Sequence, residues 1–158
     1  MAIQYSFVTK WQIEAPVELV WDAIVDSTQW PQWWKGVVAV NEMHAGDSQG
    51  IGSIRHYVWK SVLPYQLRFN IELTAKQDYH LLTGRAFGEL EGMGEWTFSE
   101  HKNLTIVQYT WNVHTTKWWM NYFAFLLKPA FHFNHDMIMK WGAIGLSKKL
   151  RAKLISHT

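Results

Sequence analysis

The sequence predicts an α+β domain in which a curved antiparallel sheet of about seven strands wraps around a long C-terminal helix. Three observations carry that prediction. Segments of period-two alternation fill the middle of the chain, and the clearest sets Tyr65, Leu67, Phe69, Ile71 and Leu73 against Gln66, Arg68, Asn70, Glu72 and Thr74. The turns between these segments are short, which joins neighbouring strands antiparallel. From Lys117 to Leu154 the pattern becomes helical. A chain of 158 residues is long enough to bury a core without staples and is expected to form one domain over residues 1–158.

The elements follow in order. Ile3 to Ile13 reads as a strand, with Ile3, Tyr5, Phe7, Trp11 and Ile13 apolar. Pro16 and Glu18 are helix-start signals, and Leu19, Val20, Ala23 and Ile24 follow at helical spacing. Asp26-Ser27-Thr28 stops that helix, and Trp30-Pro31-Gln32-Trp33-Trp34 makes a second, short one. Strands are expected over 35–43, 53–60, 65–74, 79–87, 90–100 and 104–115, with Glu100-His101-Lys102-Asn103 as a hairpin turn. A straight helix over the last segment would span about 57 Å. That overshoots a domain of radius of gyration near 15 Å. A break is therefore expected at Pro129, with Asn134 capping a final helix that runs to Leu154.

Composition narrows the function. Net charge is +2 and no run of like charges appears, so nucleic acid is not an expected partner. The absence of cysteine excludes a disulfide framework, a zinc-thiolate site and a thiol nucleophile. No signal-peptide pattern opens the chain, and its longest apolar stretch, Trp118 to Leu127, is too short to span a bilayer. A cytoplasmic location is the resulting expectation. Eleven tryptophans among 158 residues ask what so much flat, weakly polar surface is for.

Several motifs, in order along nearly the whole chain, resemble the START-like (SRPBCC) superfamily of polyketide cyclases and dehydratases, lipid-transfer domains and the birch pollen allergen. Ile13-Glu14-Ala15-Pro16-Val17-Glu18 running into Trp21 looks like its strand-to-helix junction. Asp26 with Trp30-Pro31-Gln32-Trp33 looks like its second helix, and Gly50 with Gly52 its glycine-containing strand start. Gly88 to Trp96 and Asn134 to Gly142, with Gly145-Leu146, are similar to segments of the bacterial cyclase-like branch. The resemblance implies a helix-grip fold enclosing a cavity for a hydrophobic small molecule. It implies no single reaction, because carriers, cyclases and regulators share the scaffold.

Candidate residues follow from the pattern. Phe69, Trp96, Tyr109, Trp111, Phe133, Met137 and Trp141 are expected to wall the cavity, the last three as a helical stripe completed by Ile144. A solidly packed core is the competing explanation for the same residues. For catalysis, His56 with Tyr109 could supply acid, base and hydrogen-bond donor, and Arg85 could hold a carboxylate or phosphate. Arg55 and His56 are adjacent on a strand, so only one can enter a cavity. No catalytic motif is evident, and enzyme and carrier both stay open, with a regulatory partner-binding module as a third reading.

His132 and Asp136 share a helix face, but a metal would need a third ligand such as His56 or His114. Helix-start capping on a wet surface accounts for them better, so no metal is assigned, and no cofactor is implied. The apolar stretch from Trp118 to Leu127 is assigned first to packing or a lid, then to a dimer contact, then to transient contact with a membrane surface. Monomer and homodimer both remain open.

Overall fold

In a computed structural model, which describes residues 3–158, eight strands form one antiparallel sheet and four helices accompany it. β1 (Gln4–Ile13) leads into α1 (Val17–Val25), a single 3₁₀ turn over Ser27–Gln29 and the short α2 (Trp30–Trp33). A meander follows: β2 (Val37–His44), β3 (Ile54–Trp59), β4 (Leu67–Gln77), β5 (Leu81–Gly88), β6 (Leu90–His101) and β7 (Leu104–Thr115). α3 (Trp118–Tyr122), α4 (Ala124–Leu150) and β8 (Leu154–Ser156) close the chain. The sheet order is β2-β3-β4-β5-β6-β7-β1-β8, with β1 returning to pair with β7 from Gln4–His114 to Ile13–Thr105.

Alternation sets which face of each strand is dry. On β1, Tyr5, Phe7, Thr9, Trp11 and Ile13 are buried, while Gln4, Ser6, Val8 and Lys10 are exposed. Register shifts at Leu73/Ala75, Val37/Ala39 and Glu42/His44 help bend the sheet. α1 packs Val20, Trp21 and Ile24 inward, and its first free N–H, that of Val17, donates to Glu100 Oε2 at 2.7 Å. A carboxylate from β6 therefore caps α1, in place of a side chain at the helix start.

Three expectations about the C-terminal segment are corrected. The helix breaks at Phe123, between α3 and α4, and runs straight through Pro129. Pro129 lies near the start of α4, so its ring forfeits one bond, to the carbonyl of Phe125 in the exposed first turn. Asn134 is consequently a mid-helix residue, not a cap. The helix also ends earlier, at Leu150, where Arg151 takes a left-handed conformation and the Ala152 N–H bonds the Ser147 carbonyl. That reversal frees Leu154–Ser156 to add an eighth strand beside β1.

The buried face of α4 also differs from the expected stripe. Apolar residues lie almost evenly around α4, so periodicity could not select a face. Packing does. Ile138, Met139, Gly142, Ala143 and Leu146 are buried, and Trp33 and Trp34 come close to the helix at Gly142 and Gly145, where no side chain stands in the way. A Cβ on Gly142 would collide with the Trp34 ring, and one on Gly145 with the Trp33 carbonyl. Phe133 is displaced to the surface at 57% exposure, and Trp141 to a flank beside Gly36, where the Lys35 ammonium lies 4.5 Å from its ring centre.

Candidate functional site

Between the concave face of the sheet and α4 lies a cavity of about 370 Å³. Its wall begins with the strand read most clearly in the sequence: Tyr65, Leu67, Phe69, Ile71 and Leu73 all face into it. Across the cavity, β6 and β7 contribute a row of near-parallel rings. Tyr109 stacks on Trp96 at 4.1 Å and on Trp111 at 5.7 Å, each at an interplanar angle of 23°. Phe69 continues the row from Trp111 at 5.8 Å, and Tyr57 stacks on Phe69 at 5.9 Å. The row exists because Gly94 sits beneath it. A Cβ there would lie 2.7 Å from the Trp111 ring and 3.1 Å from the Tyr109 hydroxyl.

A second group of rings closes one end. Trp34 meets Trp11 at 5.4 Å, Trp30 at 4.8 Å and Trp59 at 5.3 Å, while Trp30 and Trp11 both reach Trp96. These contacts are edge-on or tilted, which suits the ring quadrupoles. Trp11 is enclosed behind this end, whereas Trp30, Trp34 and Trp59 border the cavity as Trp96 and Trp111 do. Trp11, Trp34 and Trp59 belong to this end.

One group of polar side chains in the cavity is joined by hydrogen bonds. Arg55 on β3 points inward and donates through Nη1 to the Val25 carbonyl at 2.9 Å and to Ser27 Oγ at 2.8 Å. Ser27 Oγ also shares a hydrogen bond of 2.8 Å with the Tyr57 hydroxyl. Glu42, 3.5 Å from Arg55 Nε, sits at an exposed rim with Ala45 and Gln49. Burial raises Tyr57 above the usual phenol value, against the opposing pull of Ser27 and Arg55. Burial raises Tyr109 well above it too, and Tyr57 adds to the effect. Both phenols therefore keep their protons at neutral pH and act as donors, not bases.

On α4, Asn134 and His135 line the cavity beside Phe131, Ile138 and Met139. His135 stacks on Phe7 at 4.0 Å and 14°. Desolvation, followed by the nearby His132, lowers its pKa to about 4, so it is neutral at physiological pH. Neither of its ring nitrogens has a hydrogen-bond partner; Asp136 at 4.0 Å is too distant to serve.

The structure thus places four of the seven expected wall residues, Phe69, Trp96, Tyr109 and Trp111, on the cavity. Phe133, Met137 and Trp141 are not on it, for the packing reason given above. The expected catalytic pair is separated. Arg55 and Tyr57 point inward, so the intervening His56 faces the other side of the sheet, where its Nδ1 pairs with Asn70 Oδ1 at 2.9 Å. Arg85 lies on that same outer face, 3.7 Å from Glu72 and over the Phe87 ring. Among the described residues no three His, Asp or Glu side chains gather as a metal site. His114 bonds Gln4 and pairs with Glu91, and His132 packs on Phe7. Alternation could have separated Arg55 from His56 but could not say which faced inward. Ser27 and Tyr57 carried no signal, because their pairing spans thirty residues and is made only by folding.

The shape is shared with solved structures at low identity. The di-domain aromatase/cyclase BexL of the BE-7585A biosynthetic pathway superposes with a TM-score of 0.71 at 14% identity, over 95% of this chain and 51% of that one. The chain therefore spans about half the length of that protein. TTHA0849 from Thermus thermophilus gives 0.68 at 14% identity, over 94% and 99% of the two chains. The Zhui aromatase/cyclase from Streptomyces sp. R1128 gives 0.61 at 13% identity, over 73% and 70%. No curated protein sequence matches the chain. A sequence profile for polyketide cyclase/dehydrase and lipid transport proteins matches residues 4–141, and the chain belongs to that family.

Proposed function

We propose that the protein binds and carries a flat, largely apolar aromatic molecule in this cavity. The observation that carries the reading is the row of Trp96, Tyr109 and Trp111, stacked nearly parallel along a cavity of about 370 Å³. Such a row lines the cavity with ring edges, which a planar aromatic ligand can meet edge to face, and with apolar surface that buries it. The volume lies within the range of small-molecule sites, which is roughly 300–1,000 Å³. The Arg55–Ser27–Tyr57 group supplies hydrogen-bonded donors at one place on the wall, which suits a ligand with a polar end there. Native mass spectrometry of the purified protein, with organic extraction, tests this. A retained aromatic or polyketide-like molecule, released unchanged, is expected. Empty protein that also fails to take up a naphthalene-based fluorescent probe would remove the proposal.

A cyclase or dehydratase is the second reading, favoured by the same group. Arg55 and Tyr57 together could stabilise an enolate oxygen. Its base is the weak point: the cavity phenols Tyr5, Tyr57, Tyr65 and Tyr109 hold their protons, His135 has its nitrogens enclosed, and the carboxylate of Glu42 lies at the exposed rim beside Arg55. Conversion of a poly-β-keto substrate that is lost in Arg55→Met would decide for this reading over carriage.

A further inference from the structure

The segment around Trp118, assigned first to packing or a lid by its sequence, is for the most part uncovered. α3 and the first turn of α4 are anchored by Met120 and Ala124, which are fully and nearly fully buried. Around those anchors Trp118 is 76% exposed, Tyr122 74%, Phe125 79% and Leu126 62%. Phe123 and Phe133 extend the same apolar surface. Exposed apolar side chains clustered in this way mark an interaction surface, unlike single scattered ones.

We propose that this surface docks shallowly on a lipid bilayer. Three features select that occupant. The mixture of Trp, Tyr, Phe and Leu is the chemistry of the membrane–water interface, where rings sit at headgroup depth. From Thr115 to His135 the sequence holds no carboxylate and two lysines, Lys117 and Lys128. Lys117 is held by Glu89 at 3.0 Å, while Lys128 is exposed beside the patch and adds attraction for anionic headgroups. The apolar part of the patch is six side chains, a narrow cluster beside the roughly 20–30 residues a side that a stable protein interface gathers in all. A wedge of rings entering headgroups needs no such area. No helix of the described residues is long and apolar enough to cross a membrane, so the contact is peripheral.

The surface adjoins the cavity. Tyr65, a cavity wall residue, donates to Met120 Sδ at 3.6 Å and meets the Trp119 ring at 5.8 Å. Thr115, also on the wall, bonds Asn121 of α3. Docking would bring that end of the cavity to the bilayer.

Co-sedimentation with vesicles of phosphatidylcholine, alone or with a minority of phosphatidylglycerol, tests the proposal. The protein is expected to bind both, and the anionic vesicles more tightly. The combined variant Trp118→Ser, Phe125→Ser, Leu126→Ser is expected to partition at least about tenfold less, with its denaturation midpoint not lowered. A control, Val8→Ser with Met43→Ser, removes exposed apolar residues elsewhere and should leave partitioning unchanged. Lys128→Glu should lose only the preference for anionic vesicles. No vesicle binding, equal binding by the triple variant, or a dimer in sedimentation equilibrium that the triple variant makes monomeric would each overturn the proposal. Probe uptake into the cavity is read separately, so failure here leaves the ligand reading standing.

Discussion

The indole N–H of Trp34 donates to the Ile138 carbonyl at 2.8 Å, and its ring lies over Gly142, one turn further along the same helix. This contact joins α2 to α4 and sets how near the helix approaches the tryptophan-packed end of the cavity. It depends on the absence of a side chain at Gly142. Gly142→Ala should raise helix propensity yet lower stability, because its methyl collides with the ring. A loss of roughly 1–3 kcal/mol is expected in urea denaturation, as for other overpacked cores. Stability equal to or above the parent would show that Trp34 can move aside.

Gly94 plays the equivalent part beneath the ring row. Gly94→Ala should push Trp111 toward the cavity and shrink the space beside Tyr109. Binding of anilinonaphthalene sulfonate is expected to weaken about tenfold, a change of about 1.4 kcal/mol in binding free energy. Unchanged affinity in a fluorescence titration would mean that the probe sits elsewhere.

Ser27 accepts from Arg55 and shares a hydrogen bond with Tyr57 inside the cavity. Ser27→Ala would leave two partly buried polar groups without that partner. The expected cost is about 1–3 kcal/mol in chemical denaturation. Tyr57→Phe removes one hydroxyl while leaving Arg55 its acceptor, so its cost should be smaller, about 1 kcal/mol. The reverse order of the two costs would contradict the arrangement.

His135 gives stability a pH dependence of defined sign. Its folded pKa, about 4, lies below the ordinary histidine value of 6.5. Between these values the unfolded chain takes up a proton that the folded chain refuses. The contribution is whole above about pH 6.5 and drains away as pH falls toward 4. It amounts to on the order of 3 kcal/mol at most. His135→Phe should flatten that window in denaturation midpoints measured between pH 4 and 7, while keeping a ring against Phe7. An unchanged slope would place the acid sensitivity in another group.

Much of the architecture was legible because strand alternation is a local property. The dry face of β4 followed from Tyr65 to Leu73 alone, and β7 from Leu104 to Thr115 matches its expected bounds. The helix was less legible. Pro129 is a strong local signal that position within the helix disarmed. Arg151 reverses the chain without the glycine that usually announces such a turn.

The local pattern of residues thus determined the order of elements, the antiparallel sheet and the inward rings of the strands. Each depends on alternation between chain neighbours, which the sequence carries directly. Tertiary structure decided which face of α4 is buried, whether rings fill or border the interior, and which of Arg55 and His56 enters the cavity. Those outcomes depend on close approach between residues far apart in the chain. Gly142 under Trp34 draws the small-residue face inward and turns Phe133 out. Gly94 under Trp111 holds the ring row against its strand, which leaves the space beside it open. The eleven tryptophans accordingly divide by what each touches, a distinction that composition could raise and that packing alone could resolve.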